Sequence, residues 1–99
     1  MITIFANQQI DIDQPDAAAL AFAGGVATVH TTFHSTGGRE LVTVLAKPTG
    51  SVGDFKEIAQ VFCNSRENVN FELKGPHLLK GRLTGSITGK TDVTLEIGN

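Results

Sequence analysis

The sequence predicts an α+β fold: a single compact domain over residues 1–99, in which one or two helices pack on one face of a mostly antiparallel sheet of roughly five to seven strands. Two patterns support this prediction. β-branched residues crowd the stretch 26–47 on both sides of Gly37-Gly38, and apolar residues recur at helical spacing over residues 52–62. The first pattern is typical of a β-hairpin and the second of an amphipathic helix.

The N-terminal quarter is predicted to hold a small hairpin and one further element. Residues 2–5 and 9–12 are short β-prone runs, which together favour a hairpin. Residues 14–24 fit two structures. Their alanines and the preceding Asp13 favour a helix that begins near Pro15, whereas the alternative is a strand with Leu20 and Phe22 on one face.

Residues 26–47 are predicted to form the central hairpin, because glycine accepts the positive backbone torsions of a tight turn. If Gly37-Gly38 is the whole loop, Phe33 lies opposite Val42 and gathers with other apolar residues on one face. The second face is mixed, so we expect it to be partly covered, either by another part of the chain or by another molecule. It carries His30, Thr32, His34, Leu41, Thr43 and Leu45.

The second half of the chain predicts one helix and three strands. Ser51 and Asp54 form a helix-start signature, and the apolar stripe that follows predicts a helix over about 52–63. Alternating apolar residues over 69–73 predict a half-buried strand. Residues 78–88 and 92–97 predict a last hairpin.

Composition excludes several classes of protein. The net charge of −2 does not suggest an obligate nucleic-acid binder, and the single cysteine, Cys63, rules out an intramolecular disulfide. No apolar run approaches the ~20 residues of a membrane span. The first residues lack the pattern of a signal peptide. We therefore expect a cytoplasmic protein, of a cell or of a virus inside one.

No motif in the chain predicts catalysis, a metal or a cofactor. His30 and His34 share a strand face about 13 Å apart, too far for one metal with bonds of about 2 Å. Gly85 and Gly89 enclose three residues where a phosphate-binding loop needs four, and a strand follows. Cys63, at the negative end of the predicted helix, is expected to be an inert thiol. A small enzyme that uses a histidine is the least favoured hypothesis.

Charge is distributed unevenly along the chain. Residues 1–38 contain three aspartates and no lysine or arginine, whereas residues 74–90 contain four cations and no acid. In the predicted last hairpin, Lys80 and Arg82 share a face with hydroxyl residues. Together with Lys90 they form a candidate site for an anionic ligand or nucleic acid.

The leading functional hypothesis is a non-enzymatic interaction protein, expected to be a homo-oligomer or part of a larger assembly. This hypothesis is based on the mixed outer face of the central hairpin and on sheet edges that are available for pairing. A structural or accessory protein of a virus or phage would fit the size of the chain. The alternative is a binding module for an anionic ligand or nucleic acid, held by the Lys80 and Arg82 face.

Overall fold

Nine strands in two antiparallel sheets account for most of the chain in the computed structural model, which describes residues 1–65 and 68–98. The strands are β1 (Ile2–Gln8), β2 (Ile12–Asp13), β3 (Leu20–Phe22), β4 (Gly25–Ser35), β5 (Leu41–Pro48), β6 (Lys56–Phe62), β7 (Val69–Leu73), β8 (His77–Thr84) and β9 (Asp92–Gly98). The helical part of these residues is a single 3-10 turn over Asp16–Ala18.

The two sheets form a sandwich with nested strand pairing. The first sheet has the order β1-β9-β4-β7; in the second, β2-β8-β5-β6, the strand β3 also pairs with β8. Thus β1 pairs with β9, β2 and β3 with β8, β4 with β7, and β5 with β6. A long antiparallel ribbon folded at the β5–β6 turn and rolled on itself has this order, which is the jelly-roll arrangement.

The core lies between the sheets and is built by the inward positions of each strand. Successive side chains of a strand point to opposite faces, so every second residue reaches the core. Leu79 and Leu83 of the second sheet and Val93 and Leu95 of the first are fully buried. Gly81 leaves room for the first sheet, because a Cβ there would lie 2.8 Å from the Ile4 side chain.

The predicted α+β class is wrong, since the described chain is a sandwich of two sheets. The segment predicted as a helix over 52–63 forms strand β6, whose backbone pairs with β5 from Leu41↔Phe62 to Ala46↔Lys56. Helical spacing of five apolar residues was outweighed by this pairing with the preceding strand. Residues 14–24 contain the 3-10 turn and β3, so the strand alternative describes residues 20–22.

The three predicted hairpins are also wrong, although strands occupy most of the predicted segments; of residues 9–12, only Ile12 belongs to a strand, β2. β4 pairs with β7 and β9, and β5 pairs with β6 and β8, so the chain crosses between sheets at Gly37-Gly38. In the same way β1 pairs with β9 instead of the segment after it, and β8 and β9 lie in different sheets. A hairpin and a crossing present the same side chains to one core, so alternation does not distinguish them.

The crossing at residues 36–40 is held by a buried carboxylate, Glu40, which has no exposed surface. Its oxygens accept hydrogen bonds from the N–H groups of Gly37 at 2.7 Å and Gly38 at 3.1 Å. They also accept from the Thr36 hydroxyl and from the hydroxyl of Thr91. Glu40 therefore joins the β4–β5 crossing to the β8–β9 crossing.

The pKa of Glu40 shows which effect dominates at this junction. Burial raises the pKa of the carboxyl, but the hydrogen bonds from the Gly37 N–H and from the hydroxyls of Thr36 and Thr91 outweigh it. The pKa is consequently held far below its usual range, and the group stays ionised inside the protein.

Candidate functional site

The six residues of the predicted interface do not form one surface. His30, Thr32 and His34 lie on the outer face of the first sheet, where they alternate with inward residues of β4. Leu41, Thr43 and Leu45 lie on the outer face of the second sheet. Because the two sheets pack face to face, these outer faces point away from each other, and they are two separate candidate surfaces.

The outer face of the second sheet is largely covered by the chain itself. Thr43 and Leu45 are 2% and 4% exposed, although they point away from the core. The Phe55 ring lies 5.0 Å from the Lys47 ammonium and 4.8 Å from that of Lys80, in the range of cation–π contacts. Leu45 is paired with Lys80 and lies two residues from Lys47 on β5, so the Phe55 ring and the two lysines lie on the same face as Leu45.

Lys80 and Arg82 are matched by carboxylates. The Lys80 ammonium lies 3.0 Å from Asp16 and donates to the Gln14 carbonyl at 3.0 Å. Arg82 lies 3.6 Å from Asp13 and donates to Glu57 at 2.8 Å. Two cations thus face three carboxylates, and the face carries no excess of positive charge. The acidic N-terminal stretch and the basic β8, which the sequence shows as an asymmetry, are partners in the fold.

Lys90 is separated from these two residues along the chain. It is exposed in the β8–β9 crossing, where its N–H donates to the Ile87 carbonyl at 2.9 Å. At the start of the same crossing, hydrogen bonds from Ser86 hold the pKa of Asp11 below its usual value. The crossing is therefore organised by contacts within the chain.

The outer face of the first sheet is polar. His30 pairs with Glu96 across β4 and β9, and Thr32 pairs with Thr94. The Thr94 hydroxyl lies 3.4 Å from Nε2 of His34. Within the part of the chain that the structure describes, no three histidine, cysteine, aspartate or glutamate side chains come close enough together to hold a metal ion.

The most distinctive exposed feature of the second sheet is its edge strand, β6. Phe62 is 58% exposed at the end of this strand and lies directly opposite Leu41, which is half-buried. Gln60 lies opposite Thr43, and its amide reaches the Thr43 hydroxyl at 3.4 Å. Residues 58–63, IAQVFC, contain no charge and no proline.

The backbone of β6 presents polar groups outward at defined positions. Just beyond the strand, the N–H of Cys63 donates to the carbonyl of Glu40 at 3.1 Å, in the same register as the Leu41↔Phe62 pair. Antiparallel pairing alternates between residues that bond the neighbour and residues that face away. The N–H and C=O of Gln60 and the N–H of Phe62 therefore face away from β5.

The other edges of the sandwich are less suited to pairing. β1 has two register shifts against β9 and a positive φ of 51° at Asn7. β2 and β3 are short and separated by the 3-10 turn, and β7 spans five residues with the exposed Glu72 among them. Bulges, short edges and charges all discourage edge-to-edge association. β6 has one register shift near Leu45 and is regular over residues 59–62.

Neither the β6 edge nor the burial of Glu40 was predicted from the sequence. The β6 edge lay inside a segment predicted as a helix, and Glu40 lay inside the second strand of the predicted central hairpin. The alternation of Ala59 and Val61 with Gln60 and Phe62 was an available signal for a strand.

No protein-family model, no curated protein and no solved structure was found to match this chain. Among residues 1–65 and 68–98, no helix is both long enough and apolar enough to cross a membrane. A jelly-roll sandwich serves many unrelated functions, so the functional proposal depends on the surfaces described above.

Proposed function

We propose that this protein is a non-enzymatic interaction protein that forms a two-fold homodimer by pairing the β6 edges of two copies. The observation that supports this proposal is the part of the β6 edge over residues 59–62, which is uncharged, regularly paired and ends in the exposed Phe62. A second β6 strand, running antiparallel, adds to such an edge through backbone hydrogen bonds. The second sheets of the two copies then form one continuous sheet.

The outward backbone groups fit a pairing of this strand with itself. A two-fold axis at Gln60 places its N–H and C=O opposite those of Gln60 of the partner subunit, so that each pair donates and accepts once. The two Glu57 carboxylates are about 20 Å apart at ~3.3 Å per residue, so like charges do not meet.

The side chains on the outer face support the same partner. Phe62 and Leu41 are adjacent and incompletely buried, so a second copy beside them removes apolar surface from water. Thr43 and Leu45 are already buried within one copy, and His30, Thr32 and His34 lie on the other sheet. Of the six residues of the predicted interface, the proposal therefore retains Leu41.

A structural or accessory role in a virus or phage, in the cytoplasm of a cell or an infected host, suits an assembly protein of this size. The single cysteine is compatible with such a reducing compartment. The anion-binding alternative has less support, because Lys80 and Arg82 face three carboxylates.

Light scattering coupled to size-exclusion chromatography tests the dimer. We expect the wild-type protein to elute at twice the monomer mass. Phe62→Lys and Gln60→Pro should both give monomers: the first places a charge in the interface, and the second removes an outward N–H without disturbing the pairing with β5. Val26→Lys, at an exposed apolar residue of β4, is the matched control and should remain dimeric.

Circular dichroism of each variant verifies that the sandwich is folded before its mass is interpreted. A wild-type protein that is monomeric at every accessible concentration contradicts the proposal. So does a dimer that persists in both β6 variants, because the contact must then lie elsewhere.

A further inference from the structure

A cavity of about 440 Å³ opens between the two sheets at the end of the sandwich that contains the β5–β6 turn. Its apolar wall is formed by Ala46, Pro48, Ile58 and Leu73. Ile58 and Leu73 pack against the core. Cavities of this size and apolar character hold small molecules when a few polar groups converge at the opening.

The register of the second sheet places polar residues at core-facing positions of this end. Lys56 is paired with Ala46, which is 4% exposed, and His77 is paired with Phe22, which is 5% exposed. Residues paired directly across two strands point to the same face of a sheet. Lys56 and His77 therefore emerge on the core side, where apolar residues stand elsewhere in the same strands.

Two oppositely charged side chains at the opening, Asp54 and Lys56, are not engaged in ion pairs. Asp54 and Lys56 both line the cavity, and among the described residues neither has an ion-pair partner. Lys80 and Arg82, on the outer face of the same sheet, are both paired. The cavity therefore combines an apolar wall with one free carboxylate and one free ammonium.

The remaining polar group at the opening is His77. Its Nδ1 lies 2.9 Å from the Gly75 carbonyl oxygen, which can only accept, so Nδ1 carries the proton. In the neutral ring Nε2 is then an acceptor. Nε2 can therefore accept a hydrogen bond from a donor such as an ammonium, whereas a carboxylate offers it no proton.

We propose that this cavity binds a free apolar α-amino acid. The ligand's carboxylate pairs with Lys56 and its ammonium with Asp54, while its apolar side chain enters the space beside Ile58 and Leu73. Charge complementarity selects this class, because a ligand with only one charge leaves Asp54 or Lys56 facing it without a partner. The proposal is independent of the β6 dimer.

Isothermal titration calorimetry with L-leucine and L-phenylalanine tests it. Two analogues serve as matched controls: N-acetyl-leucine, which lacks the ammonium, and leucinamide, which lacks the carboxylate. We expect both to bind at least about tenfold more weakly than leucine, the effect of losing one modest ionic contact.

Variants of the chain assign the two contacts. Lys56→Gln should weaken leucine about tenfold and leave leucinamide unchanged; Asp54→Asn should weaken leucine and leave N-acetyl-leucine unchanged. Lys90→Gln, a lysine that does not line the cavity, should change nothing. Absence of leucine binding overturns the proposal. Equal affinity for leucine and N-acetyl-leucine also overturns it, since Asp54 would then have no role.

Discussion

Replacing Glu40 by glutamine tests whether the buried carboxylate holds the two crossings together. The substitution keeps the shape of the side chain but turns one acceptor oxygen into an N–H donor. Every described group around the carboxylate is a donor, and the backbone N–H groups of Gly37, Gly38 and Arg39 cannot rotate to accept. The hydroxyls of Thr36 and Thr91, by contrast, can rotate and accept a hydrogen bond.

The least costly orientation therefore places the new amide group at the oxygen shared by Gly37 and Thr91. Thr91 then accepts, and one partly buried N–H, that of Gly37, loses its partner. An unsatisfied buried donor costs about 1–3 kcal/mol, and the weakened charge-assisted bonds add to this. We expect a loss of about 2–4 kcal/mol in the free energy of unfolding, or roughly 10–30 °C in Tm.

Far-UV circular dichroism is a suitable assay, because the chain has no tryptophan or tyrosine to report unfolding by fluorescence. Thermal and urea unfolding of Glu40→Gln are compared with those of Glu72→Gln, which changes an exposed glutamate of β7. The control should stay within about 0.5 kcal/mol of the wild type. A Glu40→Gln protein as stable as the control would refute the role of the junction.

The same junction predicts a direction for the pH dependence of stability. The pKa of Glu40 is lower in the folded protein than in the unfolded chain, where it is about 4.3. As the pH falls towards that value, the Glu40 carboxyl takes up a proton in the unfolded chain but not yet in the folded protein. The free energy of unfolding therefore falls as the pH falls. The difference between wild type and Glu40→Gln should be constant above about pH 5 and shrink below about pH 4. A difference that grows on acidification would contradict this sign.

Five further substitutions probe the sandwich by urea unfolding. Gly81→Ala should cost about 1–3 kcal/mol, because the new Cβ meets Ile4, Phe5 and Leu95 at 3.0 Å or less, whereas Gly53→Ala in the β5–β6 turn should cost less than about 0.5. Leu83→Ala should cost about 2–5 kcal/mol, since Leu83 is fully buried between the sheets. Lys80→Met should cost about 0–1 kcal/mol, because its carboxylate partners are solvent-exposed, and Lys80→Ala should cost more, because it also removes the buried aliphatic stem of a residue that is 9% exposed. Equal stability of the two Lys80 variants would mean that the stem contributes nothing.

The candidate site was only partly accessible from the sequence. Leu41 was identified as an incompletely buried apolar residue, but Phe62 was assigned to the buried stripe of a helix. Asp13 was treated as a helix-start residue, and the pairing of Asp13 and Asp16 with β8 depends on the β2–β8 contact, which joins residues about 70 positions apart. Such a contact leaves no local pattern.

Alternation in the sequence by itself determined where most strands lie and which residues face the core. Val29 and Phe33, predicted to share a face with Val42 and Val44, do face the same core. What only the tertiary structure decided is that they do so from opposite sheets. A hairpin and a crossing bury the same side chains and differ in where the backbone hydrogen bonds go. For β4 and β5 that choice depends on β7, β8 and β9, which offer both strands partners far along the chain, and on the Glu40 carboxylate, which binds the amides of the turn between them.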